Sequence, residues 1–318
     1  MTQQRGVNTT IQMGFETTFG TASSTGFVLP LNSCDVVGSK VRNNPATLTG
    51  TRNPVVPFVG NQDVTGNIVV PIDSAAMIYW LAAMFGDPTS TGADPYVHEF
   101  KIASSMASFT LEKGFTDLAS NVYERFVGCK IGSLALTVGG DGELVGSMGV
   151  MGAEMSEETS AMDGSPTTVS LARLDNFEAA LTEGGGALSN ATEISLNIDF
   201  GLDPNQFVIG GGGVRGDIPE GIVSVSGTLM TLFEDKTLLD KAIDDTESSL
   251  KLTVTGSASS VFELEVQELL YSVNGVPVDG PQGLIVSLDF VGYYTDGSEA
   301  SAVVARVTNG TASYDLIA

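Results

Sequence analysis

The chain is poor in the residue types that carry chemistry. Its 318 residues include one histidine, two cysteines and one tryptophan, and only 14 lysines and arginines stand against 38 acidic side chains. A lone histidine, His98, leaves no local cluster of Cys and His for zinc. No Gly-x-Ser-x-Gly elbow accompanies it, so a serine triad has no visible scaffold. Cys34 and Cys129 lie far apart in sequence and make no disulfide framework; free thiols in a reducing cytoplasm are the simpler reading. A net charge of −24 excludes a surface that grips nucleic acid, which needs clustered cations to neutralise phosphates. No run approaches the ~20 apolar residues of a membrane span, and the opening MTQQRGVNTT has no apolar signal-peptide segment. Neither a membrane partner nor a cofactor is expected.

What the chain does have is glycine, 38 residues of it, and period-2 alternation. SFTLEKGF (108–115), GSLALTV (132–138), SLNIDF (195–200), LKLTVTG (250–256), FELEV (262–266) and LIVSLDFVGYY (284–294) each place apolar residues on one face, the pattern of half-buried antiparallel strands. Two short helices are expected. The first covers 75–85, with Asp73 or Ser74 as cap. It is apolar all round, so Tyr79, Trp80, Met84 and Phe85 must pack against another subunit or domain; the lack of a polar face favours a subunit contact for Tyr79 and Trp80. The second, about 235–244, keeps a charged face.

A duplication is legible. VTGNI (64–68) matches VSGTL (225–229) at an offset of 161, SFTLE (108–112) resembles VFELE (261–265) at 153, and SMGVMG (147–152) resembles SLDFVG (287–292) at 140. The polar stretch SEETSAMDGSPTTVS (156–170) reads as a linker. The expected organisation is two tandem β-sandwich or barrel domains, 1–165 and 166–318, each with a short flanking helix. The acidic excess is uneven: 16 acidic and 8 basic residues in the first part, 22 and 6 in the second. A long irregular stretch, 38–66, holds Lys40, Arg42 and Arg52. A basic arm on an acidic body suggests docking to another copy of that body.

Other motifs dissolve on inspection. GGGVRG (211–216) fits G-x-G-x-x-G, but no helix is expected to follow, so a Gly-rich hairpin or lip is preferred to a dinucleotide site. Glu157-Glu158 and Asp244-Asp245 are the carboxylate pairs a glycosidase would need in a cleft; in so acidic a chain they read as solvated. Met148, Met151 and Met155 read as strand packing. No catalytic set is visible, and the chain is expected not to be an enzyme.

IQMGFETTFGTA (11–22), LTGTRNPVVPFVGNQDVTGNIVVPID, a short helix ending at Phe85-Gly86, and HEFKIASSMASFTLEKG follow one another in an order that resembles the major tail tube proteins of long-tailed, non-contractile (siphovirus-type) bacteriophages. The resemblance implies a structural virion protein, made in the host bacterial cytoplasm. It implies rings of six β domains that stack into a tail tube through long loops and termini. An inner barrel lines a channel for DNA ejection, and the partners are the tape measure, tail terminator and baseplate proteins. A duplicated chain implies three copies per ring with pseudo-sixfold symmetry; without duplication, a hexamer. Lys40, Arg42 and Arg52 are then candidates for ring-to-ring contact. The competing readings are a monomeric adhesin or carbohydrate-binding sandwich, with Tyr96 and Tyr293-Tyr294 near loops, a glycan-degrading enzyme, and a secreted tube related to contractile injection systems.

Overall fold

The computed structural model describes residues 3–278 and 280–317. The chain is mainly β, and one antiparallel sheet of eight strands runs through it. In chain order these are β1 (Val37–Asn43), β2 (Phe58–Pro71), β3 (Val122–Val138), β4 (Val145–Gly152), β5 (Ala191–Asp199), β6 (Ser224–Leu232), β7 (Ser260–Tyr271) and β8 (Ile285–Tyr293). Their spatial order is β1-β2-β4-β3-β5-β6-β8-β7. Alternation decides the faces: Val64, Ile68, Leu136, Met148, Leu196, Leu229 and Leu288 are buried on one side, while their neighbours point outward.

β3 and β7 are long because each serves two layers. The first part of β3 pairs with Phe109–Phe115, which pairs with Thr9–Phe15. The first part of β7 pairs with Ser248–Ser257, which pairs with Ala179–Glu183. β3 bends between layers at Gly128, whose φ of +62° favours a residue without Cβ; an added Cβ would also sit 2.7 Å from that of Ala153.

The same connectivity therefore occurs twice. Strand, helix and three strands at 224–293 repeat the plan of 58–152, where the hairpin Thr89–Gly92 and Tyr96–Lys101 is inserted after the helix, with α1 (Met77–Phe85) and α2 (Thr237–Ile243) at matching places. The offsets of 161 and 140 read from sequence fall on matching strands, since Gly66 and Gly227 pair with Val150 and Phe290 respectively. The offset of 153 is wrong. Phe109–Phe115 occupies the place of Ser248–Ser257, not of β7. Adjacent strands of one hairpin share an apolar period, and a five-residue match cannot tell them apart.

The stretch 156–170 also departs from a plain linker. Glu154–Glu158 is a strand on β3, and Thr167–Thr168 pairs with Phe27–Val28. The first part lends a hairpin to the second: Thr89–Gly92 and Tyr96–Lys101 extend the outer layer through Val303–Asn309.

Every residue of α1 is buried. Tyr79, Trp80, Met84 and Phe85 are 9%, 1%, 2% and 2% exposed within a single chain. Trp80 meets Phe109 edge-on at 6.3 Å and Phe85 meets Phe200 at 5.5 Å. The subunit contact expected for Tyr79 and Trp80 thus finds no free surface: strand layers of the same chain and the C-terminal Tyr314 cover the helix. Asp73 caps it, Oδ1 accepting the N–H groups of Ala75, Ala76 and Met77. Burial raises the Asp73 pKa against the pull of those bonds.

Candidate functional site

The chain has two features that invite a partner, a pair of open sheet edges and a pair of hairpin loops. A comparable junction already exists within the chain. There β5 adds to β3 with Leu196 opposite Leu136, Ile198 opposite Leu134 and Asp199 opposite Ser133. Apolar packing continues beneath, where Leu136, Val138 and Leu196 face Leu252 and Leu264. This joint needs no further device, because strand addition satisfies backbone groups on both sides.

At the far ends of the sheet the equivalent edges carry no further sheet strand among the described residues, although the Val36 carbonyl accepts from Lys113 Nζ. By connectivity, 34–39 is the counterpart of 194–199, since Cys34 pairs with Ile68 as Ile194 pairs with Leu229. Val37 is 54% exposed here. The other edge is the end of β7. The Ser272 N–H still donates to the Asp289 carbonyl, matching the pairing of Ser133 with Gly149, but from there to Val278 the backbone is not strand. Its counterpart in β3 is regular strand because β5 lies against it.

The loop between β5 and β6 crosses the internal joint and locks it. Arg215, 5% exposed, donates from Nη1 to the Gly152 carbonyl at 2.7 Å and from Nε to the Pro204 carbonyl at 2.6 Å. Its Nη2 pairs with the Asp63 carboxylate, and it lies over the Phe207 ring. Beside it Lys130 Nζ meets Glu220 at 2.7 Å and the Ile218 carbonyl at 2.9 Å. Burial is the largest single influence on Glu220 and works against its charge, but the Lys130 bond, the Met106 N–H and the Lys130 charge together hold the pKa low. GGGVRG, read as a Gly-rich lip, is therefore a clasp. Neither Arg215 nor Lys130 stood out in the sequence reading; the repeated Gly-x-Arg at 50–52 and 213–215 was the signal that could have found Arg215.

The loop between β1 and β2 has no such seat. Lys40, Arg42 and Arg52 are exposed, and none makes a salt bridge among the described residues. Leu48 and Val56 are 98% and 84% exposed on the same loop.

The central segments of the sheet are low in charge and hold no cation; the exposed cations of the sheet, Lys40 and Arg42, stand on the edge strand β1. The segments 63–69, 133–137, 145–151, 193–199, 224–230 and 285–291 contain no lysine or arginine. They point serine, threonine, asparagine and glycine outward, with the carboxylates of Asp63, Glu193, Asp199 and Asp289. His98 lies elsewhere and is buried, bonded to Ser90 Oγ at 2.8 Å and Asn309 Oδ1 at 3.1 Å. No three metal-ligating side chains converge among the described residues, and no helix of the described residues is long and apolar enough to cross a membrane.

None of the curated proteins matches the chain. The family of phage tail tube proteins matches residues 6–292, nearly the whole length, and the chain belongs to that family.

Proposed function

We propose that this chain builds the tail tube of a long-tailed, non-contractile phage as rings of three copies, each copy supplying two tube domains, 1–165 and 166–318. The observation that carries this reading is the internal joint between β3 and β5, which is repeated when the 34–39 edge of one copy meets the 272–277 segment of the next. Transferring the register puts Ser39 opposite Ser272 and Val37 opposite Asn274. The segment 272–277 becomes strand on pairing.

Strand counting favours three copies. The eight strands of the continuous path β1-β2-β4-β3-β5-β6-β8-β7 give twenty-four in a trimer, and at ~4.8 Å spacing and ~40° tilt such a barrel is roughly 48 Å across its backbone. Six chains would give about twice that width, far more than a duplex needs. The outward sheet face lines the channel. Its central segments offer phosphate no clustered cation to neutralise it and add sparse carboxylates, so DNA transits without specific binding. Lys40 and Arg42, expected in an irregular stretch, stand exposed on β1 beside the β1–β2 loop, where the next ring's acidic surface would meet them. The tape measure, terminator and baseplate proteins are the further partners of this reading.

The test is a cysteine pair. Val37→Cys with Asn274→Cys, in a chain with Cys34 and Cys129 changed to Ala, is expected to give oxidised products of two and three chains and rings under negative stain. A chain that stays a monomer at high concentration, without interchain disulfide, would overturn the proposal.

A further inference from the structure

Resting on that ring, we infer that Arg52 is a lateral clasp: it crosses to the neighbouring copy and binds at Asp199, Val225 and Gly292, as Arg215 binds at Asp63, Val64 and Gly152 within the chain. Four observations converge. The excursions between register-matched positions have near-equal length, 22 residues between Ser39 and Gln62 and 23 between Asp199 and Val223, although in the first of them β1 and β2 stay paired out to Asn43 and Phe58. Both carry Gly-x-Arg, Gly50-Thr51-Arg52 and Gly213-Val214-Arg215, with a proline four or five residues later. Arg215 is seated and Arg52 is fully outside, as a clasp must be before its neighbour arrives.

The fourth observation concerns the receiving end. Asp63, which takes the Arg215 guanidinium, corresponds to Ser224. That substitution alone would remove the carboxylate. However, Asp63 stands opposite Ser39 on the adjacent strand, and Ser224 stands opposite Asp199. The acid and the serine have exchanged strands, so one carboxylate remains on that face of the sheet, and both Asp199 and Ser224 are exposed. The accompanying pair changes in step. Lys130, which meets Glu220 across the internal joint, corresponds to Leu270, and the positions matching Asp217 to Glu220 are the end of the β1–β2 loop and the start of β2, with exposed apolar Val56, Phe58 and Val59. An ionic joint is replaced by an apolar one, with both sides changed together. Arg52 acts around the ring; Lys40 and Arg42 are left for the contact along the tube.

Within one chain Arg52 forms no ion pair with Asp199 among the described residues. Arg52→Asp should fold as the parent does, with an unchanged melting curve, and raise the concentration needed for rings roughly tenfold or more. Adding Asp199→Arg should restore it, and should not restore Arg42→Asp. In assembled rings of the chain with Cys34 and Cys129 changed to Ala, a short bis-maleimide bridging Arg52→Cys and Asp199→Cys should stop at three chains. Arg52→Asp assembling at the parent concentration, failure of Asp199→Arg to rescue, or cross-linked ladders running past three chains would each overturn the clasp. The ring itself is judged separately, by the parent chain and the Val37–Asn274 pair.

Discussion

Glu16 lies inside IQMGFETTFG, the segment that carried the family resemblance, and the structure gives that segment a physical reason. The carboxylate is 6% exposed and accepts from the Gly20 and Gly128 N–H groups and the Ser108 and Thr110 hydroxyls, all within 2.9 Å. It joins the N-terminal strand to the bend of β3. Glu16→Gln, which turns two acceptor lone pairs into donors facing donors, is expected to cost about 2–3 kcal/mol in urea unfolding. His98 sets a pH effect with a definite sign. Burial lowers its pKa below the ordinary 6.5, so the unfolded chain takes up a proton that the folded chain resists. Stability is full above about pH 6.5 and falls as pH drops through that value towards the folded pKa, by at most ~1.4 kcal/mol per unit. His98→Gln should flatten that slope between pH 7 and 5, read as urea midpoints.

At the scale of elements, α1 and the two hairpin loops behave oppositely. Trp80 fills a closed space, and Trp80→Ala should lose about 3–5 kcal/mol, seen as a lowered melting temperature in the monomer before any assembly. Arg215→Ala empties a buried seat and leaves Asp63 unpaired; a loss of about 3 kcal/mol is expected in the same assay. Arg52→Ala should leave the monomer's melting curve unmoved. The sequence made α1, its Asp73 cap and most strands readable, because helix capping and period 2 are local. It misassigned the role of Tyr79 and Trp80 because an apolar helix looks the same whether its cover comes from its own chain or another. It misaligned Ser108–Glu112 because neighbouring strands repeat one pattern. The Arg215 seat was hidden for a different reason: its partners at Asp63, Gly152 and Pro204 are brought together only by the fold.

For the whole molecule, the repeated connectivity was visible as two offsets out of three that fall on matching strands, while the pairing of β3 with β5 was not, since strand neighbours across a joint share no sequence signal. The excess of acid also has a place that counting could not assign. The sheet face proposed to line the channel is not densely acidic; its central segments are free of cations. Assembled tubes should therefore fail to retard duplex DNA in a gel even at about 50 mM salt, where a phosphate-gripping surface binds most strongly. Reversing Lys40 and Arg42 to glutamate should shorten tubes in negative stain while leaving single rings intact, which separates stacking from closure.

The β3–β5 joint has a kinetic consequence. In the proposed ring three of six seams are sewn at translation, so a closed hoop is a three-body event rather than a six-body one. Its nucleation rate then rises with about the cube of subunit concentration, and tethering keeps each sewn seam at an effective concentration near the millimolar range. A phage that cut this chain in two at residue 165 would keep every contact and lose that head start.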